Sequence, residues 1–376
     1  MPHIEERILQ ADSLLAPYAV KHGNSLGRAY EEPGDATRFP FQRDRGRIVH
    51  TQSFRRLKGK TQVFVGGQND HHRTRLTHTL EVSGVSRDIA RTLRLNEDLA
   101  ECIALAHDLG HPPFGHAGEA ALNGWMQGHG ASFEHNTQSH RILTILEEHS
   151  SHHKGLNVNY EILDGLLKHR TPFDAPQTKT RDRSPSLEAQ VVDLADEIAY
   201  TAHDCEDGLR AALFTEDAVT DIPLAARARQ LAEPRGTSLR GSLIHLLVQD
   251  LYMATEEQLV SQRITTLDAV YTAKNPLITF SVCMRKELDT LREFLWKNMY
   301  NHPHVLQHNE TGKQTVLALC DALLLRPPRQ VAILQKRTSG SPAEAVKDYV
   351  AGMTDAYAQT QLTLMTRTSA DPHAHR

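Results

Sequence analysis

Apolar positions recur every third and fourth residue along most of the chain, and almost no stretch alternates residue by residue as a half-buried strand does. The pattern predicts an all-α protein. From Leu187 onward, Val191, Ala195, Ile198, Ala202, Cys205 and Leu209 follow one another at helical spacing, after a Ser186 placed to cap the first turn. A second helix is expected from Thr77, with His78, Val82, Val85, Ile89 and Leu93. Asn96 is placed to cap a third, which carries Leu99, Cys102, Ile103 and Ala106. Residues 171–186 hold three prolines and mixed charges and read as a mobile loop between elements. The polar tail, 367–376, is expected to fray. With no internal repeat, the chain reads as a basic N-terminal segment (1–66) packed on a helical core (67–210), followed by a helical region of the same domain (211–376).

Composition narrows the class. The chain has 376 residues, of which 39% are apolar and 23% charged, with a formal net charge of −4. Such a chain buries a substantial core without disulfides. No run of about eighteen uncharged apolar residues occurs, and the first ten residues mix acids with an arginine, so a membrane span and a secretory signal are not expected. Cys102, Cys205, Cys283 and Cys320 stand far apart without a Cys-x-x-Cys pair and read as buried thiols of a cytoplasmic protein. The unusual number is 23 histidines, concentrated in the first half, which points to metal or phosphoryl chemistry.

The strongest chemical signal is HDLGHPPFGHAGE, from His107 to Glu119. A His-Asp pair at the end of an apolar helix, followed by Gly110 and Pro112-Pro113, sets two ligand-type side chains where the backbone turns. His116 and Glu119, three residues apart, offer an acid/base pair beside it. An isolated His-Asp pair more often only caps a helix, but the density of Gly, Pro and His here favours a site.

Further ligands come from elsewhere. His78 is a polar residue on an otherwise apolar stripe, where an imidazole needs a partner if buried. Asp193, Asp196, Tyr200 and Asp204 lie at spacings of three, four and four along one helix, so at least one carboxylate faces inward and needs a cation. The second pair, His203-Asp204, ranks below the first, because no Gly/Pro turn follows and its acidic surroundings suggest an exposed edge.

At this point the residues resemble a family. The order His78, His107-Asp108, Asp196 is similar to the HD-domain phosphohydrolases, and the longer words resemble the bacterial deoxyguanosinetriphosphate triphosphohydrolase-like proteins. These words are RDRGRIVHTQSFRRLKGKTQVF, RTRLTHTLEV, HDLGHPPFGHAGE, FEHN, DLADEIAYTAHDCEDG and DYVAGMTDAYA. The resemblance implies one divalent metal (Mn, Fe, Co, Ni, Zn or Mg) held by His78, His107, Asp108 and Asp196 in an all-α domain. His111, His116 and Glu119 follow as the catalytic group.

It also implies attack at the α-phosphorus of a deoxynucleoside triphosphate, releasing deoxynucleoside and triphosphate. Gln62 and Val63 would lie near the deoxyribose, Arg75 near the phosphates, and His135, Tyr200 and Asp204 also in the substrate site. Eight Lys or Arg against one acid between Arg38 and Lys60 suggest a further hold on the triphosphate. Relatives imply a homo-oligomer, possibly a hexamer, and two further ligand classes, single-stranded DNA and a regulatory nucleotide. Two readings of other classes stay open: an HD phosphohydrolase of monophosphates or phosphodiesters, and a nucleic-acid-binding regulator with a vestigial site.

Overall fold

Helix starts in this chain are set by short polar caps. In the computed structural model, which describes residues 3–62, 73–169 and 183–370, the Ser186 hydroxyl accepts from Ala189 N and opens the helix Leu187–Arg210. The Asn96 side chain accepts from Leu99 N and opens Glu97–Ala106. Ser238, Ser281 and Ser341 cap later helices in the same way, the last with a reciprocal Glu344 bond. The expected second helix spans Arg75–Thr92. No strand occurs among the described residues, which form an all-α fold.

Contacts divide the chain into two compact units that interleave along the sequence. The first comprises Met1–Gly46, His78–Leu105 and Val158–His302, and the second Arg47–Thr77, Ala106–Asn157 and Pro303–Arg376. Helices distant in sequence share a core, which composition along the chain does not reveal. Most of the expected loop and of the terminal tail lies outside the described residues. Ser184 N, however, donates to Tyr271 O, and the last helix, Asp355–Ala370, runs four residues into the segment expected to fray.

In the first unit, Leu187–Arg210 packs against Tyr160–Lys168, Leu239–Ser261 and Val282–Leu295. Val191, Ala195, Ile198 and Ala202 are fully buried along its length. Each fully buried aliphatic side chain of Val or Leu size contributes about 1.5–3 kcal/mol. The second unit is built on Gly115–Gln127 against Pro303–Leu325, with Leu122, Trp125, Met126, Val316, Leu319 and Leu323 in one cluster. Cys102, Cys205 and Cys320 are buried as expected, but Cys283 is exposed, because it occupies a solvent-facing position in the first turn of Val282–Leu295.

Candidate metal and phosphate site

In the first unit, the helix Leu187–Arg210 presents its carboxylates to a row of imidazoles. His78 Nε2 lies 2.9 Å from Asp196 Oδ1, with both side chains nearly inaccessible to solvent. His169, the residue that ends Tyr160–Lys168, sets Nδ1 2.6 Å from Asp193 and Nε2 3.5 Å from Asp196 Oδ2. Burial opposes a charge on this imidazole, yet the Asp193 and Asp196 carboxylates raise its pKa well above the ordinary value. His203 Nδ1 lies 2.7 Å from Glu81, and its ring meets the His78 ring edge-on at 5.1 Å.

The expectation of an exposed His203-Asp204 pair is therefore corrected. Both residues are buried, because the helix is enclosed along nearly its whole length and its acids are answered internally. Glu197 accepts from Arg285 at 2.6 Å and from Arg292 at 3.1 Å. The Asp204 carboxylate accepts the Tyr300 hydroxyl at the end of the π-helical turn Trp296–Tyr300. Burial, with Glu197 nearby, raises the Tyr200 pKa and keeps that hydroxyl a proton donor.

The second unit carries the other half of the predicted set. The helix Glu97–Ala106 stops at the tight turn His107–Gly110. A Cβ at Gly110 would lie 2.1 Å from the His135 carbonyl, so only glycine lets the turn press on the helix His135–Arg141. The Ser139 hydroxyl fixes that contact, accepting from Gly110 N and donating to His107 O. His107 Nε2 is then 3.6 Å, and His111 Nε2 3.2 Å, from Asp108 Oδ1.

After Pro112-Pro113 the chain turns through Phe114 and Gly115, both at positive φ, into Gly115–Gln127. That turn places His116 and Glu119 on one side. Glu119 serves three histidines. Oε1 accepts from His135 N at 2.8 Å and lies 2.9 Å from His135 Nδ1, while Oε2 is 3.5 Å from His116 and 3.9 Å from His111. Burial disfavours its charge, but His135 and His116 outweigh burial and hold the carboxyl well below the usual range. His111 stacks on His135 at 3.9 Å, and burial, with Arg75 beside it, keeps it neutral. The side chain of His116 is 56% exposed.

Arg75 is the cation of this half. It is 2% exposed and donates from Nη1 to Asp108 Oδ2 at 3.0 Å, while its Nε and Nη2 have no hydrogen-bond partner among the described residues. Gly115, lacking a Cβ, leaves the Nη2 side open. A buried guanidinium with unspent donors is an anion receptor. Gln62 lies close by, its carbonyl facing Gly115, whereas Val63 lies outside the described residues.

Several cations of the basic run are engaged within the fold. Arg43 pairs with Glu32 and Arg45 with Glu101, and Arg47 donates to the Leu156 and Asn157 carbonyls. Lys60 donates to the carbonyls of His111 and Ala351. Phe41, Ile48 and Leu57 pull the stretch into the interior, where these charges meet their partners.

Each unit holds a buried histidine–carboxylate pair, His78 with Asp196 and His107 with Asp108, whose nitrogen lies within 3.6 Å of a carboxylate oxygen, and these are donor types that suit a divalent ion. Sequence patterns missed His169, Asp193 as its partner, Glu81 and Tyr300. Only the acidic spacing on Leu187–Arg210 hinted at them.

Comparison with known proteins agrees with this reading of the fold. A family model described as HD domain matches residues 75–201, and one described as phosphohydrolase-associated domain matches residues 278–363. A deoxyguanosinetriphosphate triphosphohydrolase-like protein of Brucella ovis is 42% identical over 91% of this chain and 93% of its own length. Proteins of the same description from Deinococcus radiodurans and Ralstonia nicotianae are also 42% identical, each over 92% of this chain and over 94% and 92% of their own lengths. The chain belongs to the deoxyguanosinetriphosphate triphosphohydrolase-like family of HD-domain hydrolases.

Proposed function

We propose that the protein is a divalent-metal-dependent hydrolase of deoxynucleoside triphosphates that releases deoxynucleoside and inorganic triphosphate. The observation that carries this reading is Arg75, a buried guanidinium with two unspent donors, joined to Asp108 in a cluster with His107, His111, His116 and Glu119. Such a cluster suits a phosphate group more than any neutral substrate. His78, His107, Asp108 and Asp196 would hold one ion, and mixed nitrogen and oxygen donors favour Mn, Fe, Co, Ni or Zn over Mg. When bound, the ion supplies Lewis-acid polarisation of the α-phosphoryl group and orients the attacking water.

The chain's own residues do the rest. Arg75 holds a phosphate oxygen, and neutral His111 accepts or donates one hydrogen bond beside it. His116, exposed and backed by Glu119, gives the proton to the leaving 5'-oxygen, while His135 holds Glu119 and contacts the substrate phosphates. Tyr200 and Gln62 pack against the deoxyribose, and Asp204, which accepts the Tyr300 hydroxyl, also accepts the 3'-hydroxyl. The protein acts in the cytoplasm as a homo-oligomer. Names of relatives that specify deoxyguanosine triphosphate support this substrate class.

Incubation of metal-loaded protein with each of the four dNTPs, alone and mixed, followed by anion exchange of the products, tests the reading. Inorganic triphosphate and free deoxynucleoside are expected. Orthophosphate or pyrophosphate would mean that a phosphoanhydride bond is cut instead of the 5'-ester, and would overturn the reading.

A further inference from the structure

The word DYVAGMTDAYA has no task in the chemistry above, yet its second aspartate reaches into the site. Asp355 is buried and begins the helix Asp355–Ala370. Its Oδ1 accepts from Phe114 N at 3.0 Å, and its Oδ2 accepts from Thr61 N at 3.0 Å and from the Thr61 hydroxyl. All three partners are donors, a set that a carboxylate satisfies and an amide does not. Next to Thr61, the buried Lys60 ammonium bridges the carbonyls of His111 and Ala351.

What these bonds hold is unusual backbone. Phe114 sits at φ +65, a left-handed conformation that a bulky side chain keeps only where its surroundings impose it. Gly115 follows at φ +58, and the two residues together aim His116 from the first turn of Gly115–Gln127. The other end of the clamp is the segment that carries Gln62. Thr61 bridges to Thr74, and Arg75 N donates to Lys60 O at 3.2 Å. One carboxylate thus ties the turn that aims His116 to the segment that seats Gln62 and Arg75.

We propose that Asp355 is a positioning residue for phosphoryl transfer, whose carboxylate holds the left-handed Phe114 turn against Thr61 so that His116 and Arg75 address the same phosphate. The assignment deepens the reading of the site above and rests on it. Asp355 touches no reacting atom. It acts through Phe114 N and Thr61, and a role in general stability would look different. That role would lower the melting temperature without altering turnover in the protein that remains folded.

The test compares Asp355→Ala and Asp355→Asn with Leu323→Ala, all in the full-length, metal-loaded protein. Leu323 is fully buried in the second unit's apolar cluster, so its truncation supplies a loss of stability without touching the clamp. Asp355→Ala is expected to keep the wild-type metal content, to lose tenfold or more in kcat, and to exchange backbone amides of residues 112–119 faster. Asp355→Asn keeps the acceptor for Phe114 N and should fall between it and wild type; it serves alone if the alanine variant does not fold.

Leu323→Ala should keep kcat within threefold and leave exchange at 112–119 unchanged at a comparable loss of melting temperature. A kcat within threefold of wild type for the Asp355 variants, or an equal loss in Leu323→Ala, overturns the proposal. If wild type yields a product other than triphosphate, the reading of the reaction fails, and the same variants are compared on the reaction found. If wild type hydrolyses no phosphoester, unchanged exchange at 112–119 in the Asp355 variants overturns the clamp by itself.

Discussion

The two units gather opposite balances of charge around their buried histidines. In the first, His78, His169 and His203 face Asp193, Asp196, Glu81 and Asp204, so carboxylates outnumber imidazoles and every ring has an acid within 3 Å. In the second, Arg75, His107, His111, His116 and His135 share Asp108 and Glu119. The acid-rich half suits a cation and hydroxyl donors such as a sugar. The base-rich half suits phosphate. The same residue type thus does different work: beside two carboxylates His169 is pushed towards the charged form, whereas beside Arg75 His111 stays neutral.

The sharpest way to break this contrast is to empty one half at a time. Asp196→Ala and His107→Ala should each abolish bound metal and reduce turnover to background, because a four-residue set loses a coordination position either way. Elemental analysis of the purified variants decides it. Metal retained in full by one of them would mean that the halves do not share an ion. His203→Ala, which removes a buried partner of Glu81, should keep the ion and lose stability instead.

The next effect separates acid/base work from metal binding within the base-rich half. His116→Ala should retain metal and lose about a hundredfold or more in turnover. Glu119→Gln should lose less, and the double variant should be little worse than His116→Ala, since groups acting as a unit are not additive. Additive losses, or loss of metal from His116→Ala, would mark His116 as a ligand.

For the acid-rich half, the prediction concerns the sugar. If Tyr200 packs against deoxyribose, a ribose 2'-hydroxyl is buried without a partner at a cost of roughly 1–3 kcal/mol. Subsaturating rates with dGTP should then exceed those with GTP by about tenfold or more. Equal rates would remove Tyr200 from the sugar pocket.

The smallest effect is on stability. Glu188, buried in the first unit, accepts from Val20 N and Asn96 N, and burial pushes its pKa up to about 7 from an ordinary 4.5. A raised carboxyl favours the folded state below the unfolded value and loses that contribution as pH rises through the folded one. Wild type should therefore lose stability between pH 5 and pH 8 by on the order of 1 kcal/mol or more relative to Glu188→Gln, which does not titrate. Urea midpoints at the two pH values measure it, and parallel profiles would contradict it.

Local signals made much of this legible. Ser186 and the spacing from Leu187 specify a helix because cap and period act within a few residues, and HDLGHPPFGHAGE states its own turn through Gly and Pro. For the basic run, sequence shows charges and not their partners: Arg45 meets Glu101, and Arg47 meets two carbonyls far along the chain. His169 was illegible for the same reason, since its meaning lies in Asp193 and Asp196 on another helix. Asp355 was visible only as part of a word, because its three donors come from segments far upstream.

The central claim is that water is delivered to the α-phosphorus of a deoxynucleoside triphosphate. Turnover of dGTP in water enriched in oxygen-18, with mass spectrometry of both products, tests it most directly. The account predicts one labelled oxygen in the inorganic triphosphate and none in the deoxynucleoside. Label in the 5'-hydroxyl of the deoxynucleoside, or in orthophosphate released from the γ-position, would contradict it.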